Sequence, residues 1–436
     1  MQFIQHQRKD ERTHTFTLIN SHVTYANTLR RLMITGVETV AFRSDMTATG
    51  TTSDVIVVRN DTPMTNEMLA DRIGLLPIYV KEPQKWNSDQ YQFRLHVLGD
   101  KDRSRYVRCS DIEVRDLQAA GVEAEAEAEA EADQKEVTGV LVDTARFFPP
   151  SPLTGDTCLI ATLMPGTGAT QQGIELMAKA TKGTGREHAR FCPVSQCSYE
   201  YTLDRDPVRI NEMFTAWMQS TKKVGAIDKT SERYAELERE FNTMQIKRCF
   251  HTNSRGEPDS FDFTVESVGV LDVEYIVNRA CEVAENICLR YVNLDKIADV
   301  PDDLSITTAD TRVIGFDFLF RGHDHTLGNL LQTWMSEYLM ENQQSDADLD
   351  VKITYVGYSV PHPLRDEMVL RVGVPDAKES TARLAVATAA RGCRALFQEM
   401  RNAWNQTVAP QVMTSAKRPR PKMPPMPQQV TVKKVG

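Results

Sequence analysis

His323-Asp324-His325 places two imidazoles one residue apart, and His362 follows later in the chain. Imidazole and carboxylate groups are common ligands of divalent metals, so a metal-dependent enzyme is one reading of this segment. Against it, no third ligand stands at helical or hairpin spacing. His325 and Thr326 read better as the capped start of a helix. Cys192 and Cys197 are separated by four residues, whereas zinc knuckles use CxxC pairs and four ligands in total. They read as two small thiols. Cys281 and Cys288 are spaced i, i+7 on an apolar stripe and read as core. Gly166-x-Gly168 and Gly183-x-Gly185 are loop glycines. The chain carries neither a GxxxxGKS/T phosphate loop nor a GxSxG nucleophile elbow. No catalytic constellation stands out, so a scaffold or interaction role is the default, with no cofactor and no metal expected.

Such a role rests on the elements that present the surface. Val23-Thr24-Tyr25-Ala26-Asn27-Thr28-Leu29 and His325-Thr326-Leu327-Gly328-Asn329-Leu330-Leu331 share Thr, a small residue, Asn and Leu in register. Each follows a short strand pattern (Thr15 to Ile19; Val313 to Phe320) and opens a helical one. Leu29, Leu32, Met33, Val37 and Val40 mark one face of the first. Later, Phe261 to Val265 alternates as a strand ahead of a helix striped by Val273, Ile276, Val277, Ala280, Val283, Ile287 and Tyr291. Met368 to Val374 likewise precedes a helix carrying Val386, Ala389, Cys393, Leu396, Met400 and Ala403 at near-heptad spacing. A seam of that kind needs a partner helix, and the other half of the chain supplies one. The fold class is therefore α+β: two pseudo-symmetric modules, each with helices on one side of a sheet, forming an intramolecular dimer.

The expected boundaries follow. Residues 1–44 and 183–294 form the first module. Residues 45–182, with strand-like runs at Val55 to Val58, Gln92 to Val97 and Cys158 to Met164, form an inserted β-rich domain. Residues 295–310, polar and acidic around Pro301-Asp302-Asp303, read as a linker. Residues 311–408 form the second module, and 409–436 a basic, Pro-rich disordered tail. The repeat Glu123 to Ala132 reads as a solvated loop, because a helix or a strand would crowd its like charges.

Composition agrees with a globular chain. Its 436 residues suit two to four domains at roughly 100–200 residues each. A net charge of −9 argues against a protein that coats nucleic acid. A free-standing nucleic-acid binder using the basic tail is the competing non-enzymatic reading. Lys417 to Lys422 reads either as a nuclear-import signal or as part of a solubilising tail. Met1 to Asp10 lacks the apolar stretch of a secretory signal, and no run approaches about 18 apolar residues, so an intracellular protein without a membrane span is expected. The eight cysteines should then be thiols.

Several segments resemble a known family. Asn27-Thr28-Leu29-Arg30-Arg31 with Glu38-Thr39-Val40-Ala41 is similar to the opening helix of the α-type subunits of multisubunit RNA polymerases. Glu67 to Pro77 fits their E-x-x-x-x-R-x-G-L-x-P segment. Gly183-x-Gly185 with Glu187-His188-Ala189 resembles their Gly-rich stretch, and Phe261 to Gly269 their F-x-V-E-S-x-G strand. These cover about residues 10–294 and resemble the third-largest subunit of RNA polymerase II and its archaeal counterpart. Asp324 to Leu331, Val356-Gly357-Tyr358 and Pro361 to Leu364 instead resemble the eleventh subunit of that polymerase and its own archaeal counterpart. Two polypeptides that elsewhere pair as separate chains are here joined, an arrangement that resembles fusions in large DNA viruses of eukaryotes.

The resemblance implies a non-catalytic assembly platform for the two large catalytic subunits of a DNA-directed RNA polymerase, with small zinc-binding adaptor subunits as further candidate partners. DNA would be met only through the holoenzyme. It implies a dimer seam at Asn27, Leu29, Leu32, Gly328, Asn329, Leu330 and Leu331, with Ala26 and Gly328 permitting close backbone approach. It places Arg30, Arg31, Arg72, Gly74, Leu75 and Pro77 against the large subunits, with at least one of the paired arginines facing the second-largest and Arg72 to Pro77 turning a strand edge toward it. Some relatives hold zinc or an iron–sulfur cluster in the inserted domain. Here that region offers only Cys109 and Cys158, so neither is expected. The implied setting is the host nucleus or a cytoplasmic virus factory, with packaging in the virion as an alternative.

Overall fold

The computed structural model describes residues 1–46, 54–119, 139–166, 171–225, 227–297, 299–310, 312–341 and 351–409. The Glu-Ala repeat and nearly all of the basic tail lie outside the described residues. The chain opens with a hairpin of β1 (Gln2–Arg8) and β2 (Thr13–Ile19), then α1 (Val23–Thr35), whose entry is capped by the His22 side chain accepting from the Thr24 N–H. The short β3 (Glu38–Ala41) leads into the insertion: β4 (Val55–Asn60), α2 (Asn66–Gly74), β5 (Tyr91–Leu98), β6 (Arg105–Arg108), β7 (Ile112–Asp116), β8 (Val140–Val142), β9 (Leu159–Leu163) and β10 (Gly173–Ala178). β11 (Thr181–Thr184) returns to pair with β3 and closes the insertion at its base. β12 (Val194–Tyr201), α3 (Pro207–Ser220), α4 (Glu232–Met244), β13 (Ser260–Ser267) and α5 (Val273–Leu289) complete the first module. The second comprises β14 (Leu304–Thr308), β15 (Gly315–Arg321), α6 (His325–Tyr338), β16 (Tyr355–Ser359), β17 (Glu367–Gly373) and α7 (Glu379–Val408).

The two sheets share one topology. The first runs β1-β2-β13-β12 and the second β14-β15-β17-β16, each with four strands. In both, the strand before the first helix pairs with the strand before the second helix. Alternation sets the inner faces: Phe16 and Leu18 on β2, Phe261, Phe263 and Val265 on β13, Phe318 and Phe320 on β15, Met368, Leu370 and Val372 on β17 are all buried. The α1, α5, α6 and α7 helices cover these faces, and a single apolar core runs through both modules without a break.

Two features depart from the expected layout. Residues 295–310 are not simply a linker. Leu304–Thr308 form an edge strand on β15, with Leu304 buried, so the second module starts before residue 311. The acidic residues that resemble a solvated run have partners: Asp303 accepts from the Tyr291 hydroxyl at 2.7 Å and pairs with Arg290 at 3.0 Å, and Asp295 pairs with Arg391 at 3.1 Å. The second departure is the α3–α4 hairpin between β12 and β13. It has its own small core of Phe214, Trp217, Met218, Leu237 and Phe241.

The modules exchange aromatic side chains. Trp404, near the end of α7, is fully buried against Phe3 and Phe16 of the first sheet, with ring centroids 5.1 and 4.9 Å away. Its indole N–H donates to the Glu274 carbonyl at 3.0 Å. Reciprocally, Tyr291, just past α5, is fully buried against Phe320 of the second sheet at 5.0 Å. Each module thus supplies part of the other's core. Trp404→Ala should cost about 3–5 kcal/mol, and chemical denaturation should still show the two module sheets unfolding together, not in two steps, because they share one apolar core.

Candidate functional site

The seam between the modules has two-fold logic at residue level. In the shared register Thr24 corresponds to Thr326 and Arg31 to Thr333. Across the seam, the Thr24 and Thr333 hydroxyls lie 3.0 Å apart. The related contact is Arg31 Nε donating to the Thr326 hydroxyl at 2.8 Å. The same pair of positions meets twice, as a two-fold interface requires. Asn329 donates to Thr24 at 3.3 Å, and the Tyr25 hydroxyl donates to Glu337 at 3.0 Å. Leu29, Leu32, Leu330 and Leu331 are all buried in the shared core. Arg401 and Glu285 form an ion pair between α7 and α5 at 2.8 Å, and Arg186 of the first module bonds to Asp366 and to the Gly322 carbonyl of the second.

Four sequence-based assignments change. Arg31 is turned inward: its Nη2 donates to Asp324 Oδ2 at 3.0 Å, so its charge is spent on the second module. Asn27 accepts from Arg30 of its own helix at 3.0 Å instead of bridging the seam. Gly328 gives room within its own module, since a Cβ there would sit 2.5 Å from the Tyr358 ring on β16. The cap of α6 is Asp324, which accepts from the Thr326 N–H at 2.8 Å. Arg30 is half-buried beside β12, where its carbonyl accepts a weak contact from Cys197.

The second grouping brings together two separated motifs. Residues Asn66–Gly74 are a helix, not a strand edge, and Thr65 caps it by accepting from the Met68 N–H. Asp71 accepts from Ser44 at 2.7 Å. Arg190, which follows His188-Ala189, reaches across with a nearly fully buried side chain to donate to the Phe42 carbonyl at 2.8 Å and to Ser44 at 2.6 Å. Gly74 is required there, because a Cβ would lie 2.5 Å from the Arg190 guanidinium and 3.0 Å from the Phe42 carbonyl. Arg43 clasps Glu187 through two nitrogens at 2.5 and 2.9 Å. That pairing holds the Glu187 carboxyl below the usual carboxylate range. Arg72 donates to the Leu159 carbonyl at 3.0 Å and Pro77 is half-buried, whereas Leu75 is 64% exposed and Met68 59% exposed. The network therefore braces α2 and leaves Met68 and Leu75 exposed at its two ends, with Asp71 and Arg72 between them.

The histidines of the 323–325 segment do not converge. His323 lies 3.0 Å from the Tyr291 hydroxyl, while His325 lies 3.3 Å from the Tyr358 hydroxyl and His362 caps its own turn by accepting from the Leu364 N–H. Burial pushes the Cys109 and Cys197 thiols up to about 12, which keeps both protonated. Among the described residues the one grouping with metal-ligand geometry is His6, His14 and Glu274, which sequence reasoning missed. The available signal was two histidines flanking the turn of a terminal hairpin.

Comparison with known proteins places this architecture. Residues 15–288 match the family described as RNA polymerase Rpb3/Rpb11 dimerisation domain, and residues 316–403 match a second profile of the same description. The chain is 27% identical over 316 residues to DNA-directed RNA polymerases I and III subunit RPAC1 of Bos taurus, covering 65% of this chain and 82% of that protein. It is 26% identical over 295 residues to DNA-directed RNA polymerase subunit Rpo3 of Methanopyrus kandleri, covering 64% of this chain and 90% of that protein. Similarity extends to DNA-directed RNA polymerases II, IV and V subunit 3 of Arabidopsis thaliana, 23% identical over 300 residues, covering 62% of this chain and 83% of that protein.

The cap and the buried arginine each lead to a measurable outcome. Burial raises the Asp324 carboxyl, but the Thr326 hydrogen bonds and the Arg31 charge outweigh it and leave the pKa below the ordinary value. A carboxyl lowered on folding stabilises the fold above its unfolded pKa and loses that contribution as pH falls toward the folded one. Asp324→Asn keeps a capping oxygen but not the charge. Its stability deficit against the wild type should be full at neutral pH and shrink below about pH 4, the ordinary Asp value, in urea titrations across that range. Gly74→Ala should cost about 1–3 kcal/mol by forcing Arg190 from its pocket, a loss that thermal unfolding would register.

Proposed function

Because the chain belongs to the RNA polymerase Rpb3/Rpb11 dimerisation-domain family, we propose that it is a non-catalytic assembly subunit of a DNA-directed RNA polymerase. In this reading it carries both halves of the platform in one chain, and the two large catalytic subunits assemble on it. The observation that carries the proposal is the pair of family domains packed about a pseudo-dyad with one shared core. Joining the halves makes their association intramolecular, at an effective concentration of about millimolar for a short linker. Platform formation then no longer depends on the concentration of two separate subunits.

We assign the exposed Met68 and Leu75 of the α2 segment, together with Arg30, to the second-largest subunit. An exposed apolar pair on a braced helix suits a protein partner, and Arg30 is the arginine of its pair not spent on the seam. DNA is met through the holoenzyme, and small zinc-binding adaptor subunits are further candidates. The fused arrangement resembles that of large DNA viruses of eukaryotes, which supports a viral polymerase acting in the host nucleus or in a cytoplasmic virus factory.

Co-expression of the tagged full chain with the large polymerase subunits of the same genome tests this. Both large subunits should copurify in stoichiometric amounts, and Leu75→Asp with Arg30→Ala should reduce recovery of the second-largest at least tenfold, about 1.4 kcal/mol. A correctly folded chain that retains neither subunit would overturn the proposal.

A further inference from the structure

The N-terminal hairpin carries an irregularity with a chemical consequence. In a regular antiparallel pair, side chains alternate faces along the strand. Phe3 faces the core opposite Leu18, so Gln5 would face inward and His6 outward. Between Ile4 and Gln7 the register shifts by one residue, so that Ile4 pairs with Thr17 but Gln7 pairs with Thr15. Gln5 absorbs the extra residue with φ at +54°, a conformation that costs a non-glycine residue about 1 kcal/mol. The bulge rotates His6 to the inner face, where it meets His14 on the neighbouring strand.

The result is a cluster. His6 Nε2 and His14 Nδ1 are 3.2 Å apart. Two nitrogens on one tetrahedral zinc ion, each about 2.05 Å from it, are separated by about 3.3 Å, so the spacing suits a shared ion as well as a hydrogen bond. A carboxylate oxygen of Glu274, at the start of α5, lies within 4.8 Å of both nitrogens, a side-chain rotation from ligand distance. Arg8 holds that carboxylate through Nη2 at 2.5 Å and Nε at 3.1 Å, as ligating carboxylates are commonly held by an outer partner. His14 is 3% exposed, while His6 is half-buried and opens toward solvent. Trp404 stands edge-on to the His6 ring at 5.3 Å.

We propose that His6, His14 and Glu274 form a divalent transition-metal site, with zinc as the matching ion and solvent as its fourth ligand. The donor set of two imidazoles and one carboxylate is a zinc set, and calcium or magnesium would demand more oxygens. The ion would clip the terminal hairpin to α5 at the spot where Trp404 of the second module enters the first core. Its role is structural: it fixes the surface against which the two halves close. The site uses no thiolate, so it is independent of the cysteines of the inserted domain.

The test uses the full chain, purified without a polyhistidine tag and stripped with a chelator. Zinc titration by calorimetry should show one saturable equivalent per chain and zinc should raise the melting temperature. Cobalt substitution should give visible d–d bands without thiolate charge-transfer absorption. His6→Gln, at the half-buried ligand, should weaken zinc binding at least tenfold, the order seen on perturbing metal shells, and abolish the zinc-dependent melting shift. Glu274→Gln should weaken it as well, while a Cys109→Ser plus Cys158→Ser variant should bind as the wild type does. His14→Gln is not needed, since its burial risks misfolding. Absence of saturable zinc binding by the wild type, binding unchanged in His6→Gln, or binding lost only in the cysteine variant would each overturn the assignment.

Discussion

The exchange of Trp404 and Tyr291 is the constraint on which the rest of the structure depends. Each sheet has one face that its own first helix covers only in part. The second helix of the opposite module finishes the job: α7 ends with Trp404 in the Phe3–Phe16 pocket, and α5 leads to Tyr291 beside Phe320. Neither module has a closed core without the other. The long α7, 30 residues against 17 for α5, follows from this, because it must span its own sheet and reach the far one. Alanines at Ala382, Ala385, Ala389 and Ala390, all buried, let α7 lie close to its neighbours along the way.

Polar contacts then orient what the core holds together. The paired meetings of Thr24 with Thr333 and Arg31 with Thr326 fix the two-fold register. Asp324 serves twice, as the cap of α6 and as the acceptor for Arg31, so the start of the second module's helix is locked to the first module's helix. Outside the seam, the insertion is anchored at its base by the β3–β11 ladder and by Arg190 threading past Gly74. These anchors are rigid, and they leave Leu75 and Met68 outward on a braced support. The proposed assembly role would use that combination of a fixed internal frame and exposed apolar side chains.

Much of this was legible in the residues. The repeated Thr–small–Asn–Leu pattern and the two apolar helix stripes are enough to propose two like modules, because a heptad-spaced face has to be buried somewhere. The insertion was legible as strand-like runs between matched ends. Other features were not. The acidic stretch before residue 304 resembles a linker because side-chain partners such as Tyr291 and Arg391 are distant in sequence. Arg31 and Arg30 are indistinguishable until the helix is placed, when one falls on the seam and the other beside β12. Gly328 reads as a close-approach glycine of the seam and Gly74 only as a partner-facing residue, and the folded chain shows instead that Tyr358 and Arg190 fill the space beside them. The α3–α4 hairpin leaves a weak pattern because its small core is satisfied locally. His6 escapes notice because a bulge, invisible in sequence, decides which way it faces.

The two halves are one folding unit held by a shared core, so an intact chain between them is not what keeps them together. A protease site placed between Lys296 and Val300, cut after folding, tests this most directly. The two pieces should stay together on size-exclusion chromatography, unfold in a single transition, and show a midpoint that rises with protein concentration, as for any dimer. Separation of the pieces into two independently folded modules, or a midpoint indifferent to concentration, would contradict it.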